Sequence, residues 1–289
     1  MQDLKGRVGV VTGGGSGIGR GIALALAREG MNVAVSDIDY AAAGAVAEEV
    51  SALGVQSLAV ETDVARPESV AELADRVYSD LGAAHLLCNN AGVVTFKYAQ
   101  DMKEADWDWV LNVDLYGVVH GVLEFLPRML ASGDPGHIVN TGSIAGLLPA
   151  GTPGIIAYTA AKYGVVGLTE AMKLDLADTQ IGVSVVCPGG VETQIVQAGR
   201  NRQSRYGGKV TTEMIENASA PQEENTPQDE NNAGELMQPG ELALLIIAAV
   251  RENELYVVPH SELQPLVEQR FDRLYEAIEN FMPIDPRTR

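Results

Sequence analysis

The strongest constraint on this chain lies at its start. Arg7-Val-Gly-Val-Val-Thr12 is a short β-rich run, GGGSGIG fills Gly13 to Gly19, and a helical pattern continues through Arg28 to Gly30. A strand that turns on glycines into a helix leaves the first N–H groups of that helix without internal partners. Those groups and the helix dipole favour negative charge in front of them. Glycine also lets the backbone turn tightly and approach a pyrophosphate closely. Strand, glycine turn and helix together make a dinucleotide site. A glycine-rich loop by itself would say much less.

A second strand, Asn32-Val-Ala-Val-Ser-Asp37, then ends on a carboxylate. There it would accept hydrogen bonds from ribose hydroxyls and repel a 2′-phosphate. Ile38, Asp39 and Tyr40 follow with no arginine among them, which points to NAD rather than NADP. Strand and helix patterns continue to alternate. Helices are predicted over 41–53, 67–81 and 107–130, and strands over 55–61, 85–88, 137–141 and 183–187. Such alternation predicts an α/β fold, a Rossmann-type doubly wound parallel sheet with helices on both faces and ligands at the carboxyl ends of the strands. Asp63, Asn90, Ser143 and Pro188 each follow directly on a predicted strand, so they converge on one edge.

The chemistry concentrates between Asn140 and Gly164, in NTGSIAGLLPAGTPGIIAYTAAKYG. A helix is predicted from Ile155 to Asp178, and on it Tyr158 and Lys162 lie four apart, on one face. A tyrosine ordinarily titrates near 10, too high for a proton acceptor at neutral pH. A neighbouring ammonium favours the phenolate, so Lys162 is expected to lower that value. Ser143 stands upstream across a Gly/Pro-rich loop.

Composition narrows the partners. With 289 residues, 46% hydrophobic and 20% charged, the chain is long enough for a substantial core. A net charge of −19 argues against nucleic acid and against an anionic membrane surface. No apolar run reads as long enough to span a membrane, and the N-terminal apolar piece is too short for a leader, so a cytoplasmic protein is expected. Cys88 and Cys187 each end an apolar run and read as buried free thiols, and no metal site is expected.

TGGGSGIG, Asp37, Asp63-Val64, NNAG, Asn112, Ser143, Tyr158-x-x-x-Lys162 and PGGVET stand in an order that resembles the short-chain dehydrogenase/reductase family over roughly Leu4 to Thr193. The resemblance implies about seven strands in the order 3-2-1-4-5-6-7. It implies that Gly13, Ser16, Gly17, Ile18 and Gly19 hold the pyrophosphate, that Asp37 takes the ribose, and that Asp63 and Val64 meet the adenine. Asn90 would lie near the nicotinamide and Val191 and Thr193 at its carboxamide. Tyr158 would be the acid/base, Ser143 would position the substrate oxygen, Lys162 would bind the ribose, and Asn112 would interrupt its helix to hold a relay water. A homo-oligomer pairing the long helices is implied as well.

After Thr193 the pattern changes. Residues 194–239 are polar and low in hydrophobicity around QEENTPQDENN, and the resemblance makes this segment a substrate lid. Ile195, Val196 and Tyr206 are expected over the substrate, and Arg200, Arg202, Arg205 and Lys209 either meet an anionic substrate group or, as the favoured reading, lie on a solvated lid face. Phe96, Tyr98, Leu147, Leu148 and Tyr206 are candidate pocket residues. A helix at 241–251 and a strand at 255–259 follow, with an amphipathic helix over 262–281 that packs on the lid or a neighbouring subunit; 262–289 forms a tail to the single domain. This ending is most similar to that of enzymes acting on bulky secondary alcohols, including lignin-type benzylic ones. The function implied is NAD-dependent oxidation of a secondary alcohol to a ketone. Two other readings remain, an NADH-dependent ketone or 3-oxoacyl reductase and a catalytically silent NAD-binding sensor. The intact Ser143, Tyr158 and Lys162 weigh against the sensor.

Overall fold

A computed structural model describes residues 1–149, 153–210 and 236–280. Seven parallel strands form one sheet: β1 (Val8–Thr12), β2 (Asn32–Asp37), β3 (Ser57–Glu61), β4 (Leu86–Asn89), β5 (Gly136–Thr141), β6 (Ile181–Val186) and β7 (Tyr256–Val257). Their order is β3-β2-β1-β4-β5-β6-β7, as the resemblance implied. The winding reverses between β1, which pairs with β2 on one side, and β4 on the other. A crevice opens at such a reversal, beyond the carboxyl ends of the strands.

The helices are α1 (Gly17–Arg28), α2 (Tyr40–Ser51), α3 (Pro67–Leu81), α4 (Glu104–Leu111), α5 (Gly117–Ser132), α6 (Ile156–Asp175), α7 (Pro239–Glu252) and α8 (Gln264–Asn280). Their ends follow local chemistry. Asp39 caps α2 by accepting the Ala42 N–H, and α3 starts on Pro67 and stops at a left-handed Gly82. Successive strand residues feed opposite faces of the sheet. Val11, Val33 and Val35 pack with α1, α2 and α7, whereas Val10, Ala34 and Leu87 pack with α3 to α6.

The long helix predicted at 107–130 runs from 104 to 132 but is broken by a π-helical turn at Asn112–Tyr116. Glu104–Ser132 is long and apolar enough to cross a membrane, contrary to the reading of the sequence. Here Trp109, Val110, Phe125 and Met129 are spent on the core. The two cysteines are buried free thiols, and burial pushes both up to about 12. In α8, Leu266, Phe271, Leu274 and Ile278 are exposed, so the helix does not bury its apolar side on the lid residues described.

Candidate active site

A cleft of about 510 Å³ lies where the residues following β1, β4, β5 and β6 meet. Its first wall is the glycine loop. Gly13 adopts φ +63°, and a Cβ there would come 2.7 Å from the Ala91 Cα. A Cβ on Gly19 would overlap the Gly13 carbonyl oxygen, so Gly19 serves the packing of the loop and does not line the cleft. Ser16 is extended and its side chain caps nothing, which leaves the first turn of α1 open where Ser16, Gly17 and Ile18 line the cleft. Asp37 ends β2 with one carboxylate oxygen accepting the Gly15 N–H (3.0 Å) and the other the Asp39 N–H (3.0 Å). Burial raises its pKa from the ordinary value, against those hydrogen bonds. A diphosphate in front of unpaired amides, with a carboxylate for ribose hydroxyls, fits these residues.

Asp63, Val64, Asn90, Val191 and Thr193 line the same cleft. Asn90 has a structural task too. Its amide donates to the carbonyls of Thr12 (3.0 Å) and Gly13 (3.3 Å), and its oxygen accepts from the Thr141 hydroxyl (3.3 Å). Those bonds tie the ends of β1, β4 and β5 together.

At the far end stand Ser143, Tyr158 and Lys162, all lining the cleft. Ser143 follows β5 and its hydroxyl accepts the Ala145 N–H (3.1 Å). Lys162 is 2% exposed, donates to the Thr141 carbonyl (2.9 Å), and holds its ammonium 5.3 Å from the centre of the Tyr158 ring. The expected pairing is present, but its effect is not the expected one. Burial raises the Tyr158 pKa above the ordinary tyrosine value, Lys162 and Ser143 oppose this, and Asp114 adds to it. Desolvation therefore outweighs the ammonium in the protein alone.

Asn112 heads the π-helical turn but does not line the cleft. The residue that reaches Lys162 is Asp114, fully buried, with one oxygen 3.2 Å from the ammonium and the other accepting the Val93 N–H (2.8 Å). The side chain at this break that meets the lysine is thus Asp114, two residues beyond Asn112. An acid inside the apolar run Val113-Asp114-Leu115 was the signal for it.

The pocket residues need a similar correction. Phe96 and Tyr98 are exposed, Leu148 and Tyr206 are buried in the core, and none of them nor Leu147 lines the cleft. Val93, Trp109, Val113, Ile195, Val196 and Leu236 do. Nor is the basic cluster simply solvated. Arg202 is 7% exposed, donates to Asp106 (2.7 Å) and to the carbonyls of Tyr206 (2.7 Å) and Ala105 (3.1 Å), and lies over Trp109. Arg205 pairs with Asp63 at 2.6 Å. Residues 211–235, with the acidic part of the expected lid, and 281–289 of the tail lie outside the described residues.

The family model for short chain dehydrogenases matches residues 7–204, and the chain belongs to that family of oxidoreductases. Among its relatives, the C alpha-dehydrogenase of Sphingobium sp. (strain NBRC 103272 / SYK-6) is 33% identical over 279 residues, covering 96% of this chain and 88% of that protein. The cyclohexanol dehydrogenase of Acinetobacter sp. (strain SE19) is 40% identical over 194 residues, 67% of this chain and 76% of its own length. A crystal structure of a short chain dehydrogenase/reductase from Burkholderia phymatum in complex with NAD superposes with a TM-score of 0.83 at 33% identity, covering 99% of both chains.

Proposed function

We propose that this protein oxidises a bulky, largely apolar secondary alcohol to the ketone with NAD as hydride acceptor. The observation that carries the reading is the single cleft that runs from Asp37 and the open end of α1 to Ser143, Tyr158 and Lys162. The relatives named for a C alpha-dehydrogenase and a cyclohexanol dehydrogenase support an alcohol substrate, and the Burkholderia neighbour in complex with NAD supports the cofactor.

When bound, NAD supplies the hydride-accepting ring and a positive charge beside the phenol. Gly13, Ser16, Gly17 and Ile18 would hold its pyrophosphate, Asp37 its ribose, Asp63 and Val64 its adenine, and Val191 and Thr193 its carboxamide. Ser143 donates its hydroxyl to the substrate oxygen. Tyr158 removes the hydroxyl proton as phenolate, and Lys162 supplies the permanent charge that offsets part of the burial cost. Val93, Trp109, Val113, Ile195, Val196 and Leu236 offer apolar surface to the substrate body. Residues 194–239 act as the lid, and exposed Leu123 and Leu130 on α5 with Leu174 on α6 support a homo-oligomer built on these helices.

The test is NADH formation from aliphatic, cyclic and benzylic secondary alcohols, with NAD⁺ and NADP⁺ compared at equal concentration. Turnover of the larger alcohols with NAD⁺ is expected. Activity confined to NADP⁺, or to primary alcohols, would overturn the reading.

A further inference from the structure

Lys162 has a partner that the proposed chemistry does not use. Asp114 is buried to 0% exposure in the π-helical turn, and both its oxygens are committed, one to the Lys162 ammonium at 3.2 Å and one to the Val93 N–H at 2.8 Å. The ammonium also donates to the Thr141 carbonyl. Space for anything else is closed on one side, since a Cβ on Gly92 would sit 3.3 Å from the Asp114 carboxylate and 3.5 Å from the ammonium. An amide oxygen could still accept the Val93 N–H, but its NH2 would then face the ammonium with donors, so the Lys162 contact needs the second carboxylate oxygen. Only a carboxylate brings a negative charge into this site.

We infer that Asp114 is a positioning residue that clamps Lys162 between α6 and the segment after β4 and cancels part of its charge, so that Tyr158 works as a base at higher pH than Lys162 alone would set. The inference rests on the proposed acid/base role of Tyr158. Its physical basis is a competition at one phenol. Burial disfavours the phenolate, the ammonium favours it, and the carboxylate behind the ammonium disfavours it again. Lys162 feels the reverse. Burial would lower its pKa, and Asp114 with Tyr158 raises it, so the ammonium persists. The other titratable or polar groups that face the pair are Cys187 after β6, with Glu170 of α6 beyond it, and the Ser143 hydroxyl after β5. Cys187 is pushed up to about 12 and carries no charge near neutrality.

The direction follows from the negative charge lying beside the ammonium that serves the phenol. Removing the carboxylate charge while Lys162 stays protonated lowers the Tyr158 pKa and moves the acidic limb of alcohol oxidation to lower pH. Asp114→Asn keeps the shape, and Asp114→Ser, which is smaller, serves if the amide does not fold. Each is compared with wild type by kcat and KM across pH, and separately, without substrate, by ultraviolet tyrosinate titration with Tyr158→Phe subtracted. The expected result is a downward shift of about one pH unit or more in both, as for a charge a few ångströms away, with KM for NAD⁺ changed little. A folded variant with an unmoved tyrosine and an unmoved limb would overturn the inference. So would an upward shift, which would mean that Asp114 serves mainly to keep Lys162 charged. If no alcohol is oxidised at all, the substrate reading fails, and the tyrosinate titration still decides the role of Asp114.

Discussion

The two ends of the cleft are held in different ways. At the catalytic end the polar side chains are anchored to backbone: Lys162 on the Thr141 carbonyl, Asp114 on the Val93 N–H, Ser143 on the Ala145 N–H. At the entrance, residues 195–206 form two short 3-10 turns, fastened by two arginines: buried Arg202 to Asp106 and to the Ala105 carbonyl, and half-exposed Arg205 to Asp63. A backbone anchor moves only if its segment moves, and these three lie on β5 or just beyond β4 and β5. An exposed ion pair such as Arg205–Asp63 releases when one side chain turns away, whereas the buried Arg202–Asp106 pair does not release so readily. The chemistry therefore sits on backbone anchors, while the outer edge of the entrance rests on the more exposed Arg205–Asp63 pair.

Substitutions at the two ends should separate these roles. Tyr158→Phe is expected to lower kcat on the order of 10³-fold, about 4 kcal/mol of barrier, with NADH still bound as read by its fluorescence. Turnover near that of wild type would remove Tyr158 as the base. Arg202→Ala should instead act on stability, by about 3 kcal/mol, because it strips a partner from buried Asp106. Burial raises the Asp106 pKa, but Lys97 and Arg202 outweigh it and leave the group below the ordinary carboxylate value. A depressed carboxylate stabilises the fold above its unfolded pKa and loses that contribution as pH falls towards the folded value. The melting gap between wild type and Arg202→Ala should thus close below about pH 4. A gap that held or widened in acid would contradict the pairing.

Smaller effects are expected at the adenosine end. Asp37→Ser should lower kcat/KM for NAD⁺ about tenfold and raise acceptance of NADP⁺, since it removes a charged acceptor for ribose hydroxyls. An unchanged ratio of the two would place the ribose elsewhere. Arg205→Ala should matter least. The arginine side chain is 39% exposed, and a pair of this kind stabilises by less than about 1 kcal/mol. A shift of less than about fivefold in KM for NAD⁺ is expected. A loss of stability as large as that of Arg202→Ala would mean that the exposed Arg205 pair holds the entrance as firmly as the buried Arg202 pair.

The sequence revealed the parts of the site whose geometry is local. Tyr158 and Lys162 share a helix face by spacing alone, and Gly13 to Gly19 declare a strand-to-helix turn. The sheet order came with the family pattern. What stayed hidden depends on distant partners. Arg202 meets Asp106 across 96 positions, and nothing near either residue announces it. The break at Asn112 was foreseen, but a π-turn changes which side chains face inward, and that brings in Asp114. The aromatic pocket candidates failed for the converse reason. Hydrophobicity marks a residue as wanting burial, but not whether the core or the cleft supplies it, as Tyr206 shows.

Tyr158 itself provides the most direct measurement, by NMR titration of ¹³Cζ-labelled tyrosine with the resonance assigned through Tyr158→Phe. Without NAD⁺ the phenol is predicted to titrate above the ordinary tyrosine value, and with NAD⁺ bound to fall, since the cofactor adds a positive charge beside it. A phenol already acidic in the protein alone, or one indifferent to NAD⁺, would contradict the account.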